Sequence, residues 1–484
     1  MITANLIKRL FSSNSDRLKT IVYSVLQLFG IDRAIAYTLA GRIWSLASGP
    51  LTLVLIAKCL RPDEQGFYYT FGSLISLNIL FELGLTYVLL QFASHEKAHL
   101  EWTPQGVLAG STLAWSRLAA MLQLAMRWYA VAAALILLFI LPAGLVFFSK
   151  NSGHNAAVAW QIPWIWLAVV SALNFLVSPL LAVLEGCGKV AQVAQFRACQ
   201  NILSSLGLWL TLVCHGALFA GPVLQTLNVV ASLFWLITRY GSFFRSLLQA
   251  DVANVPFHWL TEVWPFQWRI AVSWFCGYFV FQLFNPVLFA QRGPVEAGQM
   301  GMSLSLCAAV GGIAMTWMST KAAPFGVLVA QRDYERLDQL FFKALSQSAI
   351  VLGCGGGLLF LVVFLLSQIG HSFAIRFLRP LPFSLLICST LLNHFVFCQA
   401  QYLRTHKQEP FLWVSVVGAF LTAASTYLLA KPYGGPGVAA GCLATSLVGL
   451  IVATFIFRSK RRAWHEHWKS DISEPACVTA PLRH

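Results

Sequence analysis

Charge is scarce in this chain. Of its 484 residues only 11% are Asp, Glu, Lys or Arg, where a soluble domain carries about 25%. Acid is scarcer than base: 18 Asp and Glu stand against 33 Lys and Arg, for a net charge of +15. With 58% hydrophobic residues and a mean hydropathy of +0.69, a soluble core could not hide so much apolar surface, and the bilayer is the expected solvent. Other absences narrow the function. The eleven cysteines include no Cys-x-x-Cys and mostly fall inside apolar runs, which excludes a disulfide framework and a thiolate metal site. "GCGGG" at Gly353–Gly357 is followed by no Gly-Lys-Ser/Thr, so it is no phosphate loop. There is no Asp-x-Asp, and the longest loops, about 35 residues, are too short for a nucleotide-sugar domain. A polymerase, ligase or glycosyltransferase is therefore disfavoured, and no cofactor or metal is expected. The tail's His-Glu-His reads as a solvated helix face. No charged, apolar and cleavable regions stand in signal-peptide order at the start; residues 1–35 read instead as a cytoplasmic or interfacial segment, with "LKTIVYSVLQLFG" as its amphipathic part.

What is present is a series of long apolar runs. A spanning helix needs about 20 apolar residues, and twelve runs qualify, near 36–57, 67–92, 128–149, 163–184, 196–216, 218–238, 268–290, 297–320, 344–369, 378–403, 410–430 and 434–457. With both termini inside, 25 Lys and Arg fall in inner segments and 7 in outer ones, the bias that orients multi-spanning proteins. This distribution also explains the net positive charge without a nucleic-acid partner. The fold expected is an all-α polytopic membrane protein of about twelve transmembrane helices, both termini cytoplasmic.

The chain also repeats itself. "LRPDEQGFYYTFGSL" at Leu60–Leu74 and "QRGPVEAGQMGMSLSL" at Gln291–Leu306 share Pro-x-Glu-x-Gly under a shift of 232 residues, with Ser73 and Leu74 matching Ser305 and Leu306. Each stretch joins the first two helices of a half. Six helices twice gives two bundles related by a pseudo-two-fold axis along the membrane normal. The expected units are an N-terminal segment 1–35, a first bundle 36–238, a cytoplasmic linker 239–267, a second bundle 268–457 and a basic cytoplasmic tail 458–484. In the repeated turns the prolines are expected to stop the preceding helix, the glycines to permit a tight turn, and the glutamates to cap the next helix.

Three stretches carry a family resemblance. "LRPDEQGFYYTFGSLISLNILFELGLTYVLLQ" from Leu60, "LLAVLEGCGKVAQVAQFRACQNILSSL" from Leu180 and "APFGVLVAQRDYERLDQLFFKAL" from Ala323 resemble, in order and spacing, the Wzx-type polysaccharide flippases of the multidrug/oligosaccharidyl-lipid/polysaccharide exporter superfamily. The resemblance runs from about residue 36 to 457. It implies movement of an undecaprenyl-diphosphate-linked oligosaccharide across a bacterial inner membrane, for O-antigen, capsule or exopolysaccharide. It also implies membrane lipids and the polysaccharide polymerase and chain-length machinery as partners. A multidrug extruder of the same superfamily is the alternative; such antiporters resemble one another in carrying an acid in helix 1, where this chain has Arg42. A lipid II flippase typically has two further C-terminal helices.

Charge within a span is costly and defaults to function. Arg42 is the first candidate for a lipid-linked phosphate, with headgroup snorkelling or a pair with Glu82 as the other reading. Glu82 balances Arg42 or takes a coupling proton. Arg269 opens helix 7 as the counterpart of the Arg42 region, with interfacial anchoring as the other reading. Asn174, Gln282, Asn285 and Asn393 are candidates for sugar hydroxyls, or else interhelical hydrogen bonds, as are His394, Gln399 and Gln401. Pro286 can kink helix 7 for gating, and Trp274 can stack on sugar.

Overall fold

The computed structural model describes residues 33–104, 106–151, 158–252, 259, 264–406 and 410–473. The expected N-terminal amphipathic segment, much of the linker and the end of the tail lie outside these residues. The described chain is almost wholly helical, as the bilayer demands, because a helix satisfies its own backbone where no water can. The first half runs α1 (Arg33–Cys59), α2a (Pro62–Glu82), α2b (Leu85–Lys97), α3 (Thr112–Asn151), α4 (Gln161–Leu184), α5 (Val190–Val213) and α6 (Ala220–Leu248). The second runs α7a (Trp264–Phe281), α7b (Phe284–Arg292), α8 (Pro294–Ser319), α9 (Tyr334–Gln368) and α10 (Pro380–Thr405), then Leu412–Ser473, which is α11 and α12 on either side of Gly434.

Among the described residues nine helices are long and apolar enough to span, or ten with the bent pair α2a–α2b. Two of the nine are 53 residues long, about 80 Å if straight, far beyond a hydrocarbon core of about 30 Å. Both are broken at a glycine with positive φ: Gly188 (φ 85°) and Gly434 (φ 59°, ψ −145°). The Thr422 hydroxyl donates to Thr445 at 3.3 Å, and a side chain on Gly441 would touch Ser425. Those pairs are centred near Gly434, so α11 and α12 fold back on one another. Counted this way, the described residues make twelve spans in two lobes.

Each lobe is tied at the end that carries most of the Lys and Arg, called here the basic end. In the first lobe a hairpin of β1 (Leu100–Trp102) and β2 (Leu108–Gly110) pairs Leu100 with Gly110 and Trp102 with Leu108. This stretch was expected only as a loop. The hairpin covers the α4–α5 elbow: the Trp102 indole donates to the Cys187 carbonyl at 2.8 Å, and the Lys189 ammonium sits 4.2 Å above the Trp102 ring. In the second lobe Asp338 on α9 accepts from the Tyr402 hydroxyl of α10 (2.9 Å) and from Arg461 Nε of α12 (2.9 Å).

The repeated turns differ from expectation in an instructive way. Pro62 and Pro294 each occupy the first turn of the following helix, where a missing N–H costs nothing. Glu64 accepts from the Arg61 backbone N–H at 2.9 Å, a local cap. Glu296 instead accepts from the Gly435 N–H at 3.0 Å, holding the α11–α12 break. Gly66 and Gly298 do not make the turns. Both lie inside helices, and neither has positive φ. What they provide is the absence of a side chain: a Cβ on Gly66 would overlap the Pro294 carbonyl, and one on Gly298 would sit 2.8 Å from the Gly66 nitrogen.

A Gly434→Ala variant tests the α11–α12 break. Its backbone falls in a region open essentially to glycine, where strain costs about 1–3 kcal/mol, and the new methyl would run into the Glu296 carboxylate. The thermal midpoint in detergent is expected to fall by several degrees; an unchanged midpoint would show that the break tolerates a side chain.

Candidate functional site

The two lobes meet most tightly at the end bearing the Pro-x-Glu-x-Gly turns. There α2a of the first lobe lies directly on α8 of the second, backbone against backbone at Gly66 and Gly298. One step further along, the Tyr69 ring lies on Gly301 and its hydroxyl reaches Met302 Sδ at 3.1 Å. Tyr69 and Gly301 are related by the same 232-residue shift. A large residue in one repeat therefore fills the space left by the smallest in the other. Gln65 Nε2 donates to the Gly298 carbonyl (2.8 Å) and the Arg376 carbonyl (3.1 Å). Arg376, on the turn Ser372–Arg376, is held below the usual arginine range by burial, opposed by the attraction of Glu64 and Asp63 across the contact. Phe289 of α7b inserts among first-lobe rings, with centroids 4.9 Å from Phe67, 5.3 Å from Phe148 and 5.7 Å from Phe147. Together these contacts close this end of the molecule.

Below the closed end the lobes part around a cavity of about 890 Å³. Tyr68, Tyr69, Ser73, Asn78 and Gln225 line it from the first lobe; Gln282, Asn285, Ser305, Asn393 and His394 line it from the second. No Asp, Glu, Lys or Arg lines it among the described residues. Asn285 Nδ2 donates to Ser73 Oγ at 3.1 Å, crossing from lobe to lobe, while its buried Oδ1 has no partner. A second cavity of about 570 Å³ shares Ser76, Asn78, Gln282 and Asn393 with the first and adds Glu82, Trp274, Tyr278 and Arg404. A third, of about 190 Å³, lies within the first lobe beside Glu82 and Asn174.

The candidates from sequence thus separate. Gln282, Asn285 and Asn393 come together in the main cavity. Asn393 also donates to Ser446 at 3.0 Å, and His394 shares a 2.9 Å hydrogen bond with Ser348. Gln399 donates to Thr454 at 3.0 Å. Glu82 and Asn174 share the small first-lobe pocket. Arg42 lies at the α1–α8 junction, where Nη1 donates to Ser319 Oγ at 3.1 Å. Glu82 Oε1 instead accepts from Thr86 at 2.7 Å, so the two charges have different partners. Arg269 lies in α7a, but its side chain is outside the described residues. Pro286 is buried in α7b, four residues after Gln282 at the α7a–α7b break. Lacking an N–H, it leaves the Gln282 carbonyl without that helical bond.

Two features escaped the sequence reading. Arg404 was assigned to an inner loop, yet it ends α10 and lines the second cavity. Tyr68 and Tyr69 stand inside the repeated stretch, and the 232-residue shift that pairs Tyr69 with Gly301 was the available signal.

Comparison with known proteins agrees with this architecture. No family model and no curated protein matches the chain. Among solved structures it is similar to an inward-facing multidrug resistance MATE transporter of the MOP superfamily, at TM-score 0.67 and 13% identity over 90% of this chain and 99% of the other. An outward-facing conformation of a MATE transporter of the same superfamily gives 0.50 at 14% identity, covering 90% and 97%. The lipid II flippase MurJ in an inward closed conformation gives 0.56 at 12% identity, covering 88% and 87%. The chain therefore shares the fold of these transporters.

The seal makes a prediction. Gly66→Ala should push α2a from α8, and amide hydrogen exchange across Thr70–Ile75 should quicken at least tenfold, about 1.4 kcal/mol of lost protection. Unchanged exchange would mean that the contact does not hold this end closed.

Proposed function

We propose that this chain moves an undecaprenyl-diphosphate-linked oligosaccharide from the inner to the outer leaflet of a bacterial inner membrane by alternating access. One observation carries the reading: among apolar side chains the central cavity presents amides, hydroxyls and aromatic rings and, among the described residues, no Asp, Glu, Lys or Arg. Amides and hydroxyls hydrogen-bond sugar hydroxyls, and rings offer faces for stacking. A cationic drug would be better served by a carboxylate in that cavity.

The diphosphate needs cations, and these stand toward the basic end. Arg404 lines the second cavity, and Arg42 stands on α1 at the junction with α8. A guanidinium pairs a phosphate in bidentate fashion. In this reading Gln282, Asn285 and Asn393 hold the sugars, Arg42 and Arg404 take the diphosphate, and the polyprenyl tail stays in lipid. The turn-bearing end faces outward and both termini lie in the cytoplasm, as the Lys and Arg bias supports. The product would enter O-antigen, capsule or exopolysaccharide synthesis, handed to the polymerase and chain-length machinery.

Translocation of lipid-linked repeat units in inverted vesicles tests this. The wild type should move the lipid. Arg42→Ala and Arg404→Gln should each slow it at least tenfold at equal protein level, with Arg42→Lys intermediate, because a lysine keeps the charge and loses the fork. If the wild type moves no lipid-linked sugar but exports cationic dyes, the drug-extruder reading replaces this one.

A further inference from the structure

Beneath the seal one small contact joins the two lobes across the cavity wall. Ser73 stands on α2a, and Gln282 and Asn285 stand at the break between α7a and α7b. Ser73 is only 1% exposed, yet it lines the main cavity with both amides. Its hydroxyl works in both directions. It accepts from Asn285 Nδ2 at 3.1 Å and donates to Gln282 Oε1 at 3.4 Å. One serine thus sits between an amide donor and an amide acceptor of the opposite lobe.

This contact lies one helical turn from each half of the seal. Tyr69, whose ring lies on Gly301, precedes Ser73 by four residues on α2a. Phe289, which inserts among Phe67, Phe147 and Phe148, follows Asn285 by four residues on α7b. Residues four apart on a helix lie on one face. Both helices also end at a break. α2a gives way to Leu83 (φ 51°) and Gly84 (φ 66°), both left-handed, and α2b leaves at a 45° bend. α7a stops at Phe281, and Pro286 withholds the N–H that would continue its ladder. Each helix can tilt about its break, and the bonds at Ser73 tie the two tilts together.

The chemistry of the contact is that of a sugar. A sugar hydroxyl, like that of serine, donates one hydrogen bond and accepts others. It can take the place of Ser73 between the two amides. It can also do more, because Asn285 Oδ1 is buried and has no hydrogen-bond partner. With Ser73 displaced, the soft terminal torsion of Asn285 lets that oxygen turn to the cavity. The hydroxyl on the next ring carbon then reaches it. Serine makes two hydrogen bonds there. A pair of neighbouring sugar hydroxyls makes three, and no buried acceptor is left unpaired, which is the state that destabilises most.

We propose that Ser73, Gln282 and Asn285 form a clasp that the cargo itself opens: a sugar ring with two adjacent free hydroxyls displaces Ser73 from the amides, and the seal above loosens. This rests on the reading of the cargo as a lipid-linked oligosaccharide and names the part of it that is sensed. Ser73 is here a positioning residue, acting through α2a on Tyr69. Loading from the inner leaflet and opening of the outer end become one event. After release the clasp re-forms, which favours return of the empty chain to the closed state seen here.

The test reads the seal directly. Amide hydrogen exchange across Thr70–Ile75 is measured on the purified full chain in lipid nanodiscs. The probes are an undecaprenyl-diphosphate-linked disaccharide with free hydroxyls and the same molecule with every hydroxyl acetylated. In the wild type the free form should quicken exchange about tenfold, the effect of losing two hydrogen bonds, and the acetylated form should not. Ser73→Ala should exchange about tenfold faster with no probe, and adding the free form should change it less than about twofold. Ser73→Thr, which keeps the hydroxyl, should behave as the wild type does. Wild-type exchange in Ser73→Ala without probe, or equal effects of the two probes on the wild type, overturns the clasp. If Ser73→Ala does not fold, the two probes on the wild type decide. Where neither probe acts, translocation in inverted vesicles separates the causes: lipid-linked sugar still moved overturns the clasp alone, and none moved removes the cargo reading with it.

Discussion

Two glycines lying backbone against backbone set the geometry of this molecule. In lipid no hydrophobic effect drives helices together, so van der Waals contact and close approach decide which faces meet. Gly66 and Gly298 give α2a and α8 the closest approach available. Because the two positions are equivalent in the repeat, the contact lies on the pseudo-two-fold axis. Everything flanking it is then asymmetric in detail: Tyr69 over Gly301, Gln65 bonded to the Gly298 carbonyl, and Phe289 among Phe67, Phe147 and Phe148. A symmetric frame closed by unlike side chains suits a contact that must form and part.

Closure at one end determines what lies beneath. Where α2a and α8 touch, the lobes exclude everything; a few turns further in they diverge, and the polar side chains of both halves face one space. Among the described residues the first cavity has no Asp, Glu, Lys or Arg in its wall, and the second adds Glu82 and Arg404. Each lobe is tied at the basic end: the first by the hairpin packed on the α4–α5 elbow, the second by Asp338 with Tyr402 and Arg461.

Much of this was legible in the sequence because the bilayer enforces simple rules. Span length and apolar runs disclosed the helices, and the Pro-x-Glu-x-Gly repeat disclosed the two halves. Three of the polar candidates, Gln282, Asn285 and Asn393, meet in one cavity because polar side chains inside apolar runs turn toward one another. What sequence did not disclose depended on partners far along the chain. Gly66 and Gly298 look like turn glycines beside their prolines; only the presence of the other helix shows that they serve packing. Glu296 looks like a cap for its own helix, yet it caps the break at Gly434. The span-2 break at Leu83 has no proline to announce it, and leucine is a poor predictor of a left-handed backbone. Arg404 reads as a loop residue until α10 is seen to carry it to the cavity.

We propose that the α2a–α8 contact is a seal that opens in every transport cycle. Tyr69→Cys with Gly301→Cys tests it, because the structure sets the β-carbons of these residues side by side across the contact. In a chain whose native cysteines are replaced, oxidation should stop translocation of lipid-linked oligosaccharide in inverted vesicles, and a reductant should restore it. Undiminished transport through the oxidised, cross-linked chain would show that this contact never parts and would contradict the account.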